Sequence, residues 1–291
     1  MNSKMKIFFL PCICIILFLI FCLSFLRNNS NEKKDSFKTA FINPDKVELL
    51  TTVSIASSTG ENITFIMDGN IWKSSNVLAD GTSCVFPVVQ NQVEDFIKYL
   101  KNIRKMYKIS DSKVDKSVIF NNIFIISYCM SDGTSALFTI GNTDFSKTMR
   151  YISLPGKNGI YKTVSDFEKF LTASASFWYD PFIIPQNTKE SIKKDDVLQV
   201  NWKKGSVTKS FSDSEKIQKI LSLRHGYLFA GVLDSELESE VFEIELSDGK
   251  SFVFEIYPND PDGKILSYKT SDWDYKVHIT NWTYNNLISL F

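Results

Sequence analysis

Four carboxylates, Asp234, Glu236, Glu238 and Glu240, recur at alternate positions ahead of an apolar stretch. Paired carboxylates can serve as general acid and base. The same alternation is how an edge strand turns charge to water and deters edge-to-edge pairing, and a solvated face is the expectation here. The two histidines, His225 and His278, are too few for a three-ligand zinc site. His278 falls between Val277 and Ile279 and reads as the opposite face of a strand. His225-Gly226 reads as the end of a helix, where a basic residue and then Gly suit the last carbonyls. A Ser–His–Asp arrangement has no G-x-S-x-G elbow to support it. Neither G-x-x-x-x-G-K-[ST] nor G-x-G-x-x-G occurs, so nucleotide hydrolysis has no support.

Asn259-Asp260-Pro261-Asp262-Gly263 looks like a fragment of a calcium loop. In an EF-hand frame, however, Pro258 and Lys269 stand where Asp and Glu are needed, so a hairpin turn is expected. Trp72, Trp178, Trp202, Trp273 and Trp282 are spread too evenly for one sugar platform and read as core. Cys84 and Cys129 could form a disulfide in an exported domain, or Cys129 could be a buried thiol in its apolar strand. Asn62-Ile63-Thr64 and Asn281-Trp282-Thr283 match the glycosylation pattern, by chance in a chain of bacterial character. No residue is assigned as catalytic, cofactor-binding or metal-binding, and no cofactor is expected.

The elements that would carry these residues begin with residues 7–26, IFFLPCICIILFLIFCLSFL, a run without charge. As a helix it spans about 30 Å, the thickness of the hydrocarbon core of a bilayer. Three readings compete: a retained anchor, a cleaved signal peptide and a lipoprotein signal. The long core, and bulky Phe21, Leu23, Phe25 and Leu26 where small residues would be needed, favour the anchor. Lys+Arg and Asp+Glu number 33 each. Lys4, Lys6 and Arg27 flank the apolar run, so the remainder is slightly acidic and carries no nucleic-acid footprint. With 44% apolar residues and 24 Phe, it can bury a core or two.

Two stretches look alike. Residues 131–140, SDGTSALFTI, parallel 247–256, SDGKSFVFEI, each an Asp-Gly turn between strands. The incoming strands are placed at 119–130 and 241–246. Before each hairpin an amphipathic helix is expected, opened by capping boxes at Asn91-x-x-Glu94 and Ser212-x-x-Glu215. Strand pairs precede the helices, at 51–56 with 63–72 and at 197–202 with 206–211. Further pairs follow the hairpins, at 150–154 with 159–163 and at 265–269 with 275–279, and a short helix closes each copy. The expected fold is α+β: an N-terminal transmembrane helix followed by two similar antiparallel-sheet-plus-helix repeats. Its parts are a cytoplasmic tail and anchor at 1–27, a tether at 28–46, a first repeat at 47–173, an aromatic connector at 174–194 and a second repeat at 195–291.

Gly69-Asn70-Ile71-Trp72, the helix at 93–100, Ser131-Asp132-Gly133, Ile140-Gly141, Tyr151-Ile152 and Gly159-Ile160-Tyr161 resemble the family catalogued as domain of unknown function (DUF) 4340, over most of 45–290. The resemblance implies an anchored extracytoplasmic protein associated with ABC transporters of the gliding-motility kind. It supplies no catalytic residue. Counting bases would leave the domain inside the cell; the resemblance implies the periplasmic side of the cytoplasmic membrane. The expected function is a non-catalytic accessory scaffold with protein partners in a transporter-like complex, attached to the membrane and binding no nucleic acid. Capture of a solute or glycan between lobes is the alternative, and a cell-envelope hydrolase the remote one.

Overall fold

The computed structural model describes residues 36–57, 62–77, 81, 83–109, 115–166, 168–186, 191–229, 231, 233, 238–258, 263–269 and 273–291. Apolar residues at period two build two antiparallel sheets, of ten and six strands. The larger comprises β1 (Ser36–Thr39), β2 (Leu50–Ser57), β3 (Asn62–Asp68), β4 (Ile71–Val77), β5 (Ser83–Cys84), β6 (Arg104–Ile109), β7 (Phe124–Met130), β8 (Ser135–Thr143), β9 (Met149–Ser153) and β10 (Ile160–Val164). Their spatial order is β1-β6-β10-β9-β8-β7-β2-β3-β4-β5. The smaller comprises β11 (Val197–Lys204), β12 (Val207–Phe211), β13 (Glu240–Leu246), β14 (Ser251–Pro258), β15 (Gly263–Lys269) and β16 (Asp274–Thr280), in the order β12-β11-β13-β14-β15-β16. The helices are α1 (Gln90–Lys101), α2 (Lys116–Ile119), α3 (Glu168–Leu171), α4 (Ala175–Trp178), α5 (Ser214–Ser222) and α6 (Asn281–Ile288).

The chain is thus mostly antiparallel β, not an α+β pair of similar repeats. One strand order does recur: β3-β2-β7-β8-β9-β10 runs as β12-β11-β13-β14-β15-β16 does. The larger sheet adds β4 and β5 beyond β3, and β6 and β1 beyond β10, and these have no counterpart in the smaller sheet. Part of the expected tether supplies β1, paired to β6 with Ser36 opposite Tyr107. Among the described residues no helix is long and apolar enough to cross a membrane. The run at 7–26 lies outside the described residues.

Local chemistry explains the other departures. The expected strand at 63–72 breaks at Gly69, whose φ of +61° suits glycine, and Asp68 pairs with Ile71 across the turn. The expected strand at 119–130 begins only at Phe124, because Asp115 accepts from Ser117 N–H and caps the one-turn helix α2. Helix α1 has Val89 at its N-cap without a side-chain bond, so Asn91 is no cap. Asp213, accepting from the N–H groups of Glu215 and Lys216, caps α5 in place of Ser212. The two Asp-Gly turns are as the sequence implies. Asp132 accepts from Thr134 N–H and Asp248 from Lys250 N–H, with Gly133 and Gly249 at φ +82° and +84°.

One apolar cluster runs through both sheets. On the larger sheet it is covered by α1 through Val93, Phe96, Ile97 and Leu100, and by the connector through Trp178, Ile183 and Ile184. Trp178, fully buried, lies 4.8 Å from Phe65 of β3, 5.7 Å from Phe96 of α1 and 5.9 Å from Phe170 of α3, centroid to centroid. Among the described residues its indole N–H has no hydrogen-bond partner. Trp178→Ala is therefore expected to cost ~4 kcal/mol of unfolding free energy. Trp178→Phe, which keeps a ring and removes the unbonded N–H, should cost about half as much. Urea titrations of the two variants measure the difference.

Candidate functional site

The connector is held as a strand would be. Val89 N–H donates to Trp178 O (2.9 Å) and Asp180 N–H to Pro87 O (2.9 Å), while Ile183 N–H donates to Leu223 O (3.0 Å) and His225 N–H to Pro181 O (2.9 Å). Val85 and Asp274 exchange backbone bonds of 2.9 and 3.0 Å, joining the larger sheet's margin to β16. The sheets therefore meet around Asp180, His225, Tyr179, Tyr268 and Tyr275, all buried. The Asp180 carboxylate accepts from Phe182 N–H (3.0 Å) and Gln186 N–H (2.8 Å). Tyr179 OH donates to Gly226 O at 2.5 Å, and Tyr268 OH donates to Ile183 O. Tyr268 and Tyr275 stack with centroids 4.3 Å apart. Burial pushes both phenols well up, so both stay protonated. This cluster contains an acid, an imidazole and three phenols, but it is closed to solvent and its carboxylate is spent on backbone N–H groups. Its chemistry is to lock the connector between the sheets.

A second constellation corrects the expected acidic row. Asp234 and Glu236 lie outside the described residues, and Glu238 is exposed. Glu240 is buried at the start of β13. It accepts from Trp202 Nε1 of β11 (2.9 Å), Lys204 Nζ (2.8 Å) and Tyr284 OH of α6 (2.7 Å). Burial pushes this carboxyl up, but the bonds from Lys204, Tyr284 and Trp202 outweigh it and hold its pKa below the usual value. Glu240 thus pins helix α6 to the sheet. A row at period two says which residues share a face, but not that the first strand residue is roofed by a helix far ahead in the chain.

Two arginines that carried no signal in the sequence do similar work. Arg150 of β9 holds Glu168 of α3 through Nε (2.7 Å) and Nη2, and donates from Nη1 to Gly141 O at 2.6 Å. Arg104 of β6 donates to Asp166 (3.0 Å), to Tyr99 OH (2.5 Å) and to Tyr99 O (2.8 Å). Burial lowers its pKa to about 10. An inward-pointing Arg at a strand's period-two position was the only available hint.

The expected helix-capping role of His225 fails, because α5 ends at Ser222 and His225 lies beyond it among the connector contacts. His278 keeps its expected place on β16, half-exposed and opposite buried Val277 and Ile279, and stacks on Tyr227 at 5.0 Å. Gly226 N–H bonds His278 O at 2.7 Å, so the two histidines' backbones adjoin while their rings have different partners. Trp72, Trp178 and Trp202 are core, Trp273 packs at its margin, and Trp282 is exposed. Cys84 is buried and Cys129 exposed, and they form no disulfide. Asn259 to Asp262 lie outside the described residues, and among those described no three His, Cys, Asp or Glu are grouped to hold a metal.

One concave feature is an open groove of about 660 Å³ beside β1 and the crossing segment that follows it. Lys38, Phe41, Asp45, Tyr128, Phe138 and Lys157 are among the residues that line it. Lys157 Nζ lies 3.6 Å from the Phe37 ring centroid. Its mixture of cations, one acid and ring faces suits a polar or anionic surface group. It brings no nucleophile and base together.

No protein-family model matches the chain, and comparisons with curated proteins and with solved structures likewise find no match.

Burial holds the His225 imidazole down to about 4, from an ordinary 6.5. Protons therefore bind the unfolded chain first. Stability is full above about pH 6.5 and falls by ~3 kcal/mol as pH drops through 4. Urea midpoints measured from pH 7.5 to 4 are expected to show this loss, and His225→Phe is expected to flatten it.

Proposed function

We infer that the chain is a non-catalytic, membrane-tethered contact protein. The observation that carries this reading is how the inward-facing charges are used. Asp180, Arg104, Arg150 and Glu240 are each bonded to the fold's own backbone or side chains. Meanwhile large apolar side chains stand in solvent. Phe145 is fully exposed on a turn fixed by Asp144, which accepts from Ser146 Oγ at 2.8 Å, and Trp282 is 72% exposed. These four charged residues thus serve the fold, and the surface offers anchors suited to protein contact.

The charge-free run at 7–26 motivates single-pass attachment to the cytoplasmic membrane. The resemblance to the DUF4340 family motivates placing the domain on the periplasmic side, as an accessory scaffold of a transporter-like envelope complex. Tethering would raise the local concentration of the contact surface, so weak contacts suffice. The groove beside β1 favours a second reading, capture of a solute or glycan bearing an anionic group between Lys38 and Lys157.

Full-length chain extracted in mild detergent should co-purify with integral membrane subunits, and recovery as a lone species would overturn the scaffold reading. A reporter fused after Phe291 should be active only outside the cytosol.

A further inference from the structure

The corresponding margins of the two sheets are finished differently. In the larger sheet, β3 is covered by β4, and β4 is sealed in turn. Ser74 Oγ donates to Phe86 O (2.8 Å) and accepts from Phe86 N–H (3.0 Å), while Gln90 bonds both Trp72 N–H (2.9 Å) and Trp72 O (2.8 Å). In the smaller sheet, β16 is covered by the segment after α5, through His278 N–H to Tyr227 O (2.9 Å) and Phe229 N–H to Lys276 O (2.9 Å). Strand β12 takes the place in its order that β3 takes in the larger sheet, but among the described residues no strand lies beyond it. Val207, Thr208, Lys209 and Ser210 are all exposed.

The hydrogen-bonding direction follows from the turn. Lys204 pairs with Val207 across the two residues Gly205 and Ser206. In such a hairpin the closing pair exchanges bonds, and alternation then turns the N–H and C=O of Thr208 and Ser210 away from β11. Val207, Lys209 and Phe211 share the face of Trp202, and Lys209 Nζ lies 5.5 Å from the Trp202 ring centroid. Thr208 and Ser210 share the opposite face.

We propose that β12 receives an extended strand from a partner protein, antiparallel to it, whose residues on the Trp202 face read apolar–acidic–apolar. The acid would lie across from Lys209, and the apolar residues across from Val207 and Phe211. Nearby acids do not neutralise Lys209: Glu240 is engaged by Lys204, Trp202 and Tyr284, Asp213 caps α5, and Glu238 lies at the Gly205 turn. A second copy of this chain fits poorly. The one antiparallel register that pairs all of β12 with itself sets Lys209 against Lys209, and a lysine on an edge strand deters such pairing. This surface gives the proposed contact role a definite mode, the addition of a strand to a sheet edge.

The test uses the full-length chain in mild detergent and fluorescein-labelled acetyl-Thr-Val-Thr-Glu-Thr-Val-Thr-amide, with its Glu-to-Lys counterpart, read by anisotropy. The Glu peptide should bind, and the Lys peptide should bind about tenfold more weakly. Lys209→Glu should reverse that order. Methylating alternate backbone nitrogens of the Glu peptide on its pairing edge should abolish binding to the unaltered protein. Thr208→Pro, which removes an outward donor, should do the same while leaving the thermal melt in place. Equal binding of both peptides, indifference to methylation, or no binding up to about 1 mM would overturn the proposal. So would a concentration-dependent dimer that Thr208→Pro abolishes, since the edge would then take a second copy. Failure of the peptides alongside intact co-purification with membrane subunits would remove the edge and leave the contact reading standing.

Discussion

The structure depends on burying the connector between the two sheets. Residues 178–183 neither end one half nor begin the other; they run as an extra strand against both. Their backbone groups pair with residues 87–89 on one side and 223–225 on the other. Without those bonds, buried peptide groups would be left unsatisfied, at a cost of roughly 1–3 kcal/mol each. Trp178 fills the space between β3, α1 and α3, and Tyr268 of β15 bonds the connector's carbonyl at Ile183. One stretch therefore couples the packing of a ten-stranded sheet to that of a six-stranded one, and a single apolar cluster runs through both.

That coupling explains where the buried charges went. A sheet this wide has many inward positions, and long covering segments must be fixed over it. Arg150 reaches from β9 to α3, Arg104 ties β6 to the segment before α3, and Glu240 ties β13 to α6. Each joins a strand to an element that roofs it, and each is surrounded by hydrogen bonds that offset its desolvation. These three buried charges are thereby made structural.

The surfaces are not alike. The open face of the larger sheet carries small hydroxyl side chains, with Ser54 beside Thr64 and Ser127 in register, and Leu137 beyond. The smaller sheet turns mixed charge outward, with Asn201 bonded to Glu245 at 2.7 Å. Sheet margins need protection from unintended pairing. The larger sheet protects β4 by side-chain bonds, whereas β12 carries Lys209 and, among the described residues, has no strand beyond it. A lysine excludes a like edge but leaves backbone groups available to a strand of opposite charge.

What the sequence determined by itself is local. Period-two runs placed β11 to β16 within a residue or two, and the Asp-Gly turns followed because a side-chain acceptor and a positive-φ glycine act within four residues. The burial of Trp178 was legible from its large apolar ring, and the outward face of His278 from period-two alternation. The pairing of β1 with β6, the split at Gly69, the unequal sizes of the sheets and the roofing of Glu240 were decided only in the tertiary structure. Those outcomes depend on which distant strands and helices meet. Hydrogen bonding between strands is indifferent to separation along the chain, so no local pattern records it. His225 shows the same division: its neighbours in sequence suggested a helix end, while its environment is set by Pro181 and Tyr179, more than forty residues earlier.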